Sequence, residues 1–71
     1  MKLHYYPETD SLYIELADRL GAEVRIIAEG LNAALDADGR VVGLDIEHAS
    51  TSLDLSRLET VALPGMVLRA A

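Results

Sequence analysis

Leu12, Ile14 and Leu16 alternate with Tyr13 and Glu15, the period of two that a half-buried strand requires. Upstream, Leu3 and Tyr5 alternate with Lys2, His4 and Tyr6. Between the two runs, Pro7-Glu8-Thr9-Asp10 reads as a turn, Pro7 presetting φ and Asp10 offering a side-chain acceptor. That turn sets Tyr6 opposite Ser11, Tyr5 opposite Leu12, His4 opposite Tyr13, Leu3 opposite Ile14 and Lys2 opposite Glu15. Apolar residues then meet on one face and opposite charges on the other, so a hairpin in this register is expected.

A longer loop, Ala17 to Ala22, leads to a second alternating run. There Val24, Ile26 and Ala28 alternate with Glu23, Arg25, Ile27 and Glu29. A two-residue turn at Glu29-Gly30 pairs Ala28 with Leu31, Ile26 with Ala33 and Val24 with Leu35, Gly30 supplying the positive φ. Asp38-Gly39 suits a type I′ turn, which pairs Ala37 with Arg40, Leu35 with Val42, Ala33 with Leu44 and Leu31 with Ile46. A three-residue loop with a glycine bulge competes, but it shifts the register by one and turns Asp45 toward the core. A misplaced carboxylate costs more than a turn preference, so the first register is expected. Asp36, Gly43 and Asp45 then point away from the core, and Gly43 leaves room for close approach on that outer face.

After Ala49, Ser50-Thr51-Ser52 offers N-cap hydroxyls, and Thr51-x-x-Asp54 resembles a capping box. Leu55, Leu58 and Ala62 follow at helical spacing, so a short helix is expected from about Leu53 to Glu59. Pro64-Gly65 interrupts the chain, and Met66-Val67-Leu68-Arg69-Ala70-Ala71 is an apolar tail that packs on the domain or on a neighbour. The expected fold is α+β: a five-stranded antiparallel β-meander with a short C-terminal helix packed on the sheet. Its strands are expected at 2–6, 11–17, 23–29, 31–37 and 40–47. It forms one small domain, 1–71, with the meander in 1–50 and the helix and tail in 51–71.

Composition narrows what such a sheet can do. A 71-residue chain has a single core that supplies no more than about 3–5 kcal/mol. With no cysteine, disulfides and thiolate metal sites are excluded, which fits a reducing compartment. Oligomerisation is the remaining support, and a homodimer is expected. Twelve acids stand against six basic residues. Lys2, Arg19, Arg25, Arg40, Arg57 and Arg69 are scattered, whereas nucleic-acid binding needs a basic stripe, so no nucleic-acid partner is expected. An acidic surface favours solubility or a basic protein partner. The N-terminus lacks the apolar segment of a signal peptide and no run is long enough to span a bilayer, so a cytoplasmic protein with no membrane partner is expected.

Two blocks together resemble a known family. One is Tyr6-Pro7-Glu8-Thr9-Asp10-Ser11-Leu12-Tyr13-Ile14-Glu15-Leu16. The other runs Asp36-x-Asp38-Gly39-Arg40-Val41-Val42-Gly43-Leu44-Asp45-Ile46-Glu47-x-Ala49-Ser50. The pair is similar to the small, mostly bacterial domain of unknown function 2283 family, over roughly the first fifty residues. Asp45 stands where that family usually has Glu, keeping the charge with a shorter reach. The resemblance implies a small stand-alone protein without assigned catalysis. It also raises an antitoxin-like role, since some members are said to be encoded beside small toxins. It carries no functional residues.

Candidate chemistry is sparse. Asp36-x-Asp38-Gly39 opens like a calcium loop with Glu47 at the twelfth position, but Val41 to Ile46 is strand-like and Arg40 stands where an acid is needed. His4 and His48 are the only histidines, and no serine sits in a nucleophile elbow. A base at His48 acting through Ser50 or Ser52 is geometrically poor. Glu15 and Asp45 form a carboxylate pair only if their strands are adjacent. No enzyme activity, cofactor or metal is therefore expected. The outer face mixes tyrosines and aliphatic residues with charges, an interface composition. Its candidate contacts are Tyr6, Tyr13, Ile27 and Val41, with Met66 and Leu68 from the tail. Three readings remain: a non-catalytic protein-interaction module with an antitoxin-like role, a self-assembling structural homodimer, and a small-molecule or metal-binding protein using Asp36, Asp38 or His48.

Overall fold

The computed structural model describes residues 1–65, so Met66 and Leu68 lie outside the described residues. Five strands form one antiparallel sheet: β1 Lys2–Tyr6, β2 Ser11–Glu15, β3 Glu23–Ala28, β4 Leu31–Leu35 and β5 Val41–Ile46. A short helix, α1 Ala49–Ser52, follows. β1 and β2 pair in the expected register at all five positions, from Lys2 with Glu15 to Tyr6 with Ser11.

Across the sheet the order is β1-β2-β5-β4-β3. The loop after β2 therefore carries the chain to the far edge, and two hairpins bring it back until β5 docks on β2. Apolar matching explains that docking. Leu12 pairs with Ile46 and Ile14 with Leu44 on the inner face, while Tyr13 pairs with Asp45 and Glu15 with Gly43 on the outer face. Val42 and Gly43 in β5 are buried, and β5 sits at the centre. β1 and β3 are the two edges.

The β4–β5 connection corrects one expectation and keeps another. Gly39 N–H donates to Asp36 O at 3.0 Å and Asp36 N–H to Arg40 O at 2.9 Å. That is the three-residue loop, with Gly39 at φ +81° as its glycine bulge. The type I′ turn does not form. The register beyond it nevertheless pairs Ala33 with Leu44 and Leu31 with Ile46, because a second irregularity sets Leu35 opposite Val41 and Ala34 opposite Gly43. One extra residue in β5 thus cancels the shift made by the turn, and Asp45 stays on the outer face beside Asn32.

A bulge also revises β3. Ala28 pairs with Leu31 as expected, but Ile26 pairs with Asn32, Arg25 with Ala33, Val24 with Ala34 and Glu23 with Leu35. Ile27 is the extra residue. The slip exchanges the faces of the strand: Val24 and Ile26 join the outer face, and Glu23 and Arg25 the inner one.

The helix begins earlier than its expected range and spans four residues. His48 adopts a left-handed φ of 52° and Leu53 is already extended at φ −131°. Over 53–59 no helix forms, because Asp54 Oδ1 accepts the N–H of Ser56 at 3.1 Å and also its hydroxyl. This local turn competes with a first helical turn in a run too short to nucleate alone. The segment lies beside the sheet, with every residue of 53–59 exposed. Leu53, Leu55 and Leu58 face Leu3, Leu12 and Ile14 across an apolar cavity of about 290 Å³. The buried apolar set among the described residues is small: Leu12, Ala33, Leu35, Val42 and Ala49.

Candidate functional site

The turn after β1 and the start of α1, forty positions apart in sequence, meet at Asp10. Its φ of 52° is left-handed, which a short polar side chain tolerates. The Asp10 carbonyl accepts the Ala49 N–H at 2.9 Å. Its carboxylate accepts the Ser50 N–H at 3.1 Å, the Ser50 hydroxyl at 2.7 Å and the Tyr5 hydroxyl at 2.8 Å. Asp10 therefore caps α1 from the start of the neighbouring strand β2, and His48, the residue preceding the helix, makes no side-chain cap bond. The Ser50 hydroxyl, followed by that of Tyr5, holds the Asp10 carboxyl below its usual range, and His48 adds to the effect. The Tyr5–Asp10 bond raises the Tyr5 phenol above its ordinary value. An aspartate kept ionised by three donor groups is a weak base, so the cluster latches the two segments together.

Asp36 works similarly inside its own loop. Its Oδ1 accepts the N–H groups of Asp38 and Arg40, both at 2.9 Å, and its Oδ2 accepts Arg19 Nε at 3.0 Å. The Arg40 amide is the largest influence holding the carboxyl below its usual range. The carboxylate that opened the calcium-loop pattern thus organises a turn. Among the described residues, no group of three or more His, Cys, Asp or Glu is placed to hold a metal ion. Nor is any described helix long and apolar enough to cross a membrane. Glu29, Gly30, Glu47, His48, Thr51 and Ser52 line an open polar pocket of about 370 Å³.

The outer face is centred on Gly43. A Cβ there would come within 2.9 Å of Tyr13 Cε1 and closer still to Cζ and the hydroxyl, so the Tyr13 ring lies across the glycine. His4 stands beside it with ring centroids 6.4 Å apart. Glu15 and Asp45 are on adjacent strands but in diagonal register, Glu15 opposite Gly43 and Asp45 opposite Tyr13. They do not form a directly opposed pair. Asn32 Nδ2 reaches Asp45 Oδ2 at 3.5 Å.

Of the candidate contact residues, Tyr6 and Tyr13 share the outer face on neighbouring strands. The other two described candidates are elsewhere: Ile27 is the bulge of β3 and Val41 pairs with Leu35. Sequence reasoning misses Val24 and Ile26, which are 72% and 78% exposed. Period-two alternation alone assigns them to the core. The row Ile26-Ile27-Ala28 before Glu29-Gly30, with no polar residue to mark a face, is the signal that the alternation fails there.

The fold and these contacts define a small single-sheet α+β domain whose polar clusters serve as latches and turns. The family model for a protein of unknown function (DUF2283) matches residues 2–50, and the chain belongs to that family. The match covers all five strands and the first residues of α1. No curated protein and no solved structure matches the chain.

Proposed function

We propose that this chain is a non-catalytic protein-association module, with the outer face and the β3 edge as its contact surface. One observation carries the reading: all six residues of β3 are exposed, and Val24, Ile26 and Ile27 each leave more than half of their surface to solvent. A row of exposed aliphatic residues on an open edge marks an interaction site. The net charge of −6 steers the chain toward a basic protein, consistent with an antitoxin-like role in the cytoplasm. Affinity purification of the tagged chain from its own cells, beside an Ile26→Lys variant, tests the reading. A defined partner retained by the native chain and lost by the variant is expected. Equal recovery of the same proteins by both would refute the assigned surface.

Self-association is the second reading. It is favoured by the five small and medium apolar residues that make up the buried set of the described chain.

A further inference from the structure

Of the two sheet edges, β1 is guarded and β3 is open. β1 begins with Lys2 and is followed at once by Pro7, a charge and a missing donor of the kind that discourage pairing. β3 reads Glu-Val-Arg-Ile-Ile-Ala and, among the described residues, pairs with β4 alone. Its two charges form an exposed pair, Arg25 Nη2 lying 2.8 Å from Glu23 Oε1, which can be exchanged for the same pair on another copy.

We propose that β3 pairs antiparallel with β3 of a second copy about a two-fold axis at Val24, joining two five-stranded sheets into one. The assignment rests on the reading of the chain as an association module and names a second copy as its partner. The sequence of the strand selects the register, because a two-fold axis sets residues of the same face opposite one another. With the axis at Val24, each Glu23 meets Arg25 of the other copy, so the pattern is self-complementary twice over. Val24 packs on Val24, and Ile26 covers Ala22. An axis at Arg25 would oppose two guanidinium groups. An axis at Ile26 would bring the bulge at Ile27 into the new ladder opposite Arg25. The Val24 register alone uses the straight part of the strand, where Val24 pairs with Ala34 and Ile26 with Asn32 on the β4 side. Two copies of net charge −6 repel at long range, so the local Glu23–Arg25 match is what makes this register selective.

The absence of cysteine makes thiol cross-linking a direct test. In an antiparallel pair the two Val24 Cα atoms stand about 4.5–5.5 Å apart, within disulfide reach. The two Ile26 positions are separated by four residues along the strand, about 13 Å, and cannot be bridged. Val24→Cys is therefore expected to oxidise to a covalent dimer, and Ile26→Cys to remain unlinked under the same oxidant. Light scattering should give twice 7.7 kDa for the native chain, a shift to the single mass for Glu23→Arg, and recovery of the double mass for Glu23→Arg with Arg25→Glu. Circular dichroism checks that each variant is folded, and the cysteine pair decides the matter if the charge variants are not. A native chain that stays single throughout the micromolar range overturns the proposal, while the association reading is judged separately by the partner experiment. A dimer indifferent to Glu23→Arg, or cross-linked equally from position 26, also overturns the β3 assignment and leaves association intact.

Discussion

Gly43→Ala should destabilise the native protein yet stabilise it once Tyr13 is truncated. Position 43 is buried and its backbone is not in the left-handed region, so alanine is sterically acceptable to the main chain. Removing glycine from a strand interior contributes about 0.5–1 kcal/mol by restricting the unfolded chain. Against that gain stands the Tyr13 ring, whose Cε1, Cζ and hydroxyl occupy the space that the new methyl needs. A flat ring on a β-carbon cannot bend away at its tip alone and must rotate about χ1 or χ2. Such overpacking costs about 1–3 kcal/mol. The net for Gly43→Ala is a loss of up to about 2.5 kcal/mol, about 1 kcal/mol at mid-range, visible as a fall of about 4–8 °C per kcal/mol in the melting temperature of a domain this small. In a Tyr13→Ala background the obstacle is gone, and the same substitution should raise stability by about 0.5 kcal/mol. Urea denaturation followed by circular dichroism, at one protein concentration for the four variants, gives the coupling energy. A coupling near zero would refute the packing of Tyr13 on Gly43.

Leu12, at 6% exposure in β2, should cost about 2–5 kcal/mol on truncation to alanine. That is enough to leave much of the chain unfolded at room temperature, as read by circular dichroism. A methyl added at Gly39, where φ is +81°, would meet nothing within 4 Å, so Gly39→Ala should cost about 1–2 kcal/mol by backbone strain alone, and Gly39→Asn less; urea denaturation of the two variants ranks them. Asp10, Asp36 and Asp54 all have folded pKa values below their ordinary 3.8. Their stabilising contribution is therefore complete above that value and lost as the pH falls through and below it. Melting curves taken through the acid range should show this loss, and Asp10→Asn should flatten part of it. Tyr5 is shifted the other way, above 10.0, so its contribution is present below pH 10.0 and fades as the pH rises through its higher folded value.

Period-two alternation is sufficient for the β1–β2 hairpin, because every position from Lys2 to Glu15 obeys it and the turn adds no extra residue. It also locates the β5 pairs of Ala33 and Leu44 correctly. The turn at Asp38-Gly39 escapes it for a physical reason. A single glycine bulge does put Asp45 in the core, but a second bulge at Val41–Val42 removes the penalty, and two compensating irregularities leave no trace in the alternation. The β3 slip is hidden because its bulge falls within an unbroken apolar run. The order of the strands is not legible either, since apolar matching admits several neighbours for β2. The clasp at Asp10 is half visible: the sequence marks the residue as an acceptor but gives no sign that its donor is Ser50, forty positions away. Residues 53–59 show helical spacing without helix, because Asp54 and Ser56 satisfy one another locally.

The two sequence blocks that carry the family resemblance turn out to use their polar and small residues internally. Asp10 holds Ser50 and Ala49, Asp36 holds the amides of Asp38 and Arg40, and Gly43 receives the Tyr13 ring. Each therefore helps to hold the sheet and its turns. β3 lies between the blocks, and among the described residues the strand it pairs with is β4. Such an edge strand would be better buried or charged if solubility were the only constraint. Its exposed Val24, Ile26 and Ile27 have instead been left on an edge without lysine or proline. On the proposed reading, the contact strand falls between the two sequence blocks, inside the matched residues 2–50. Substitutions in β3 are expected to change binding with little effect on folding, and substitutions at Asp10, Asp36 or Gly43 to do the reverse.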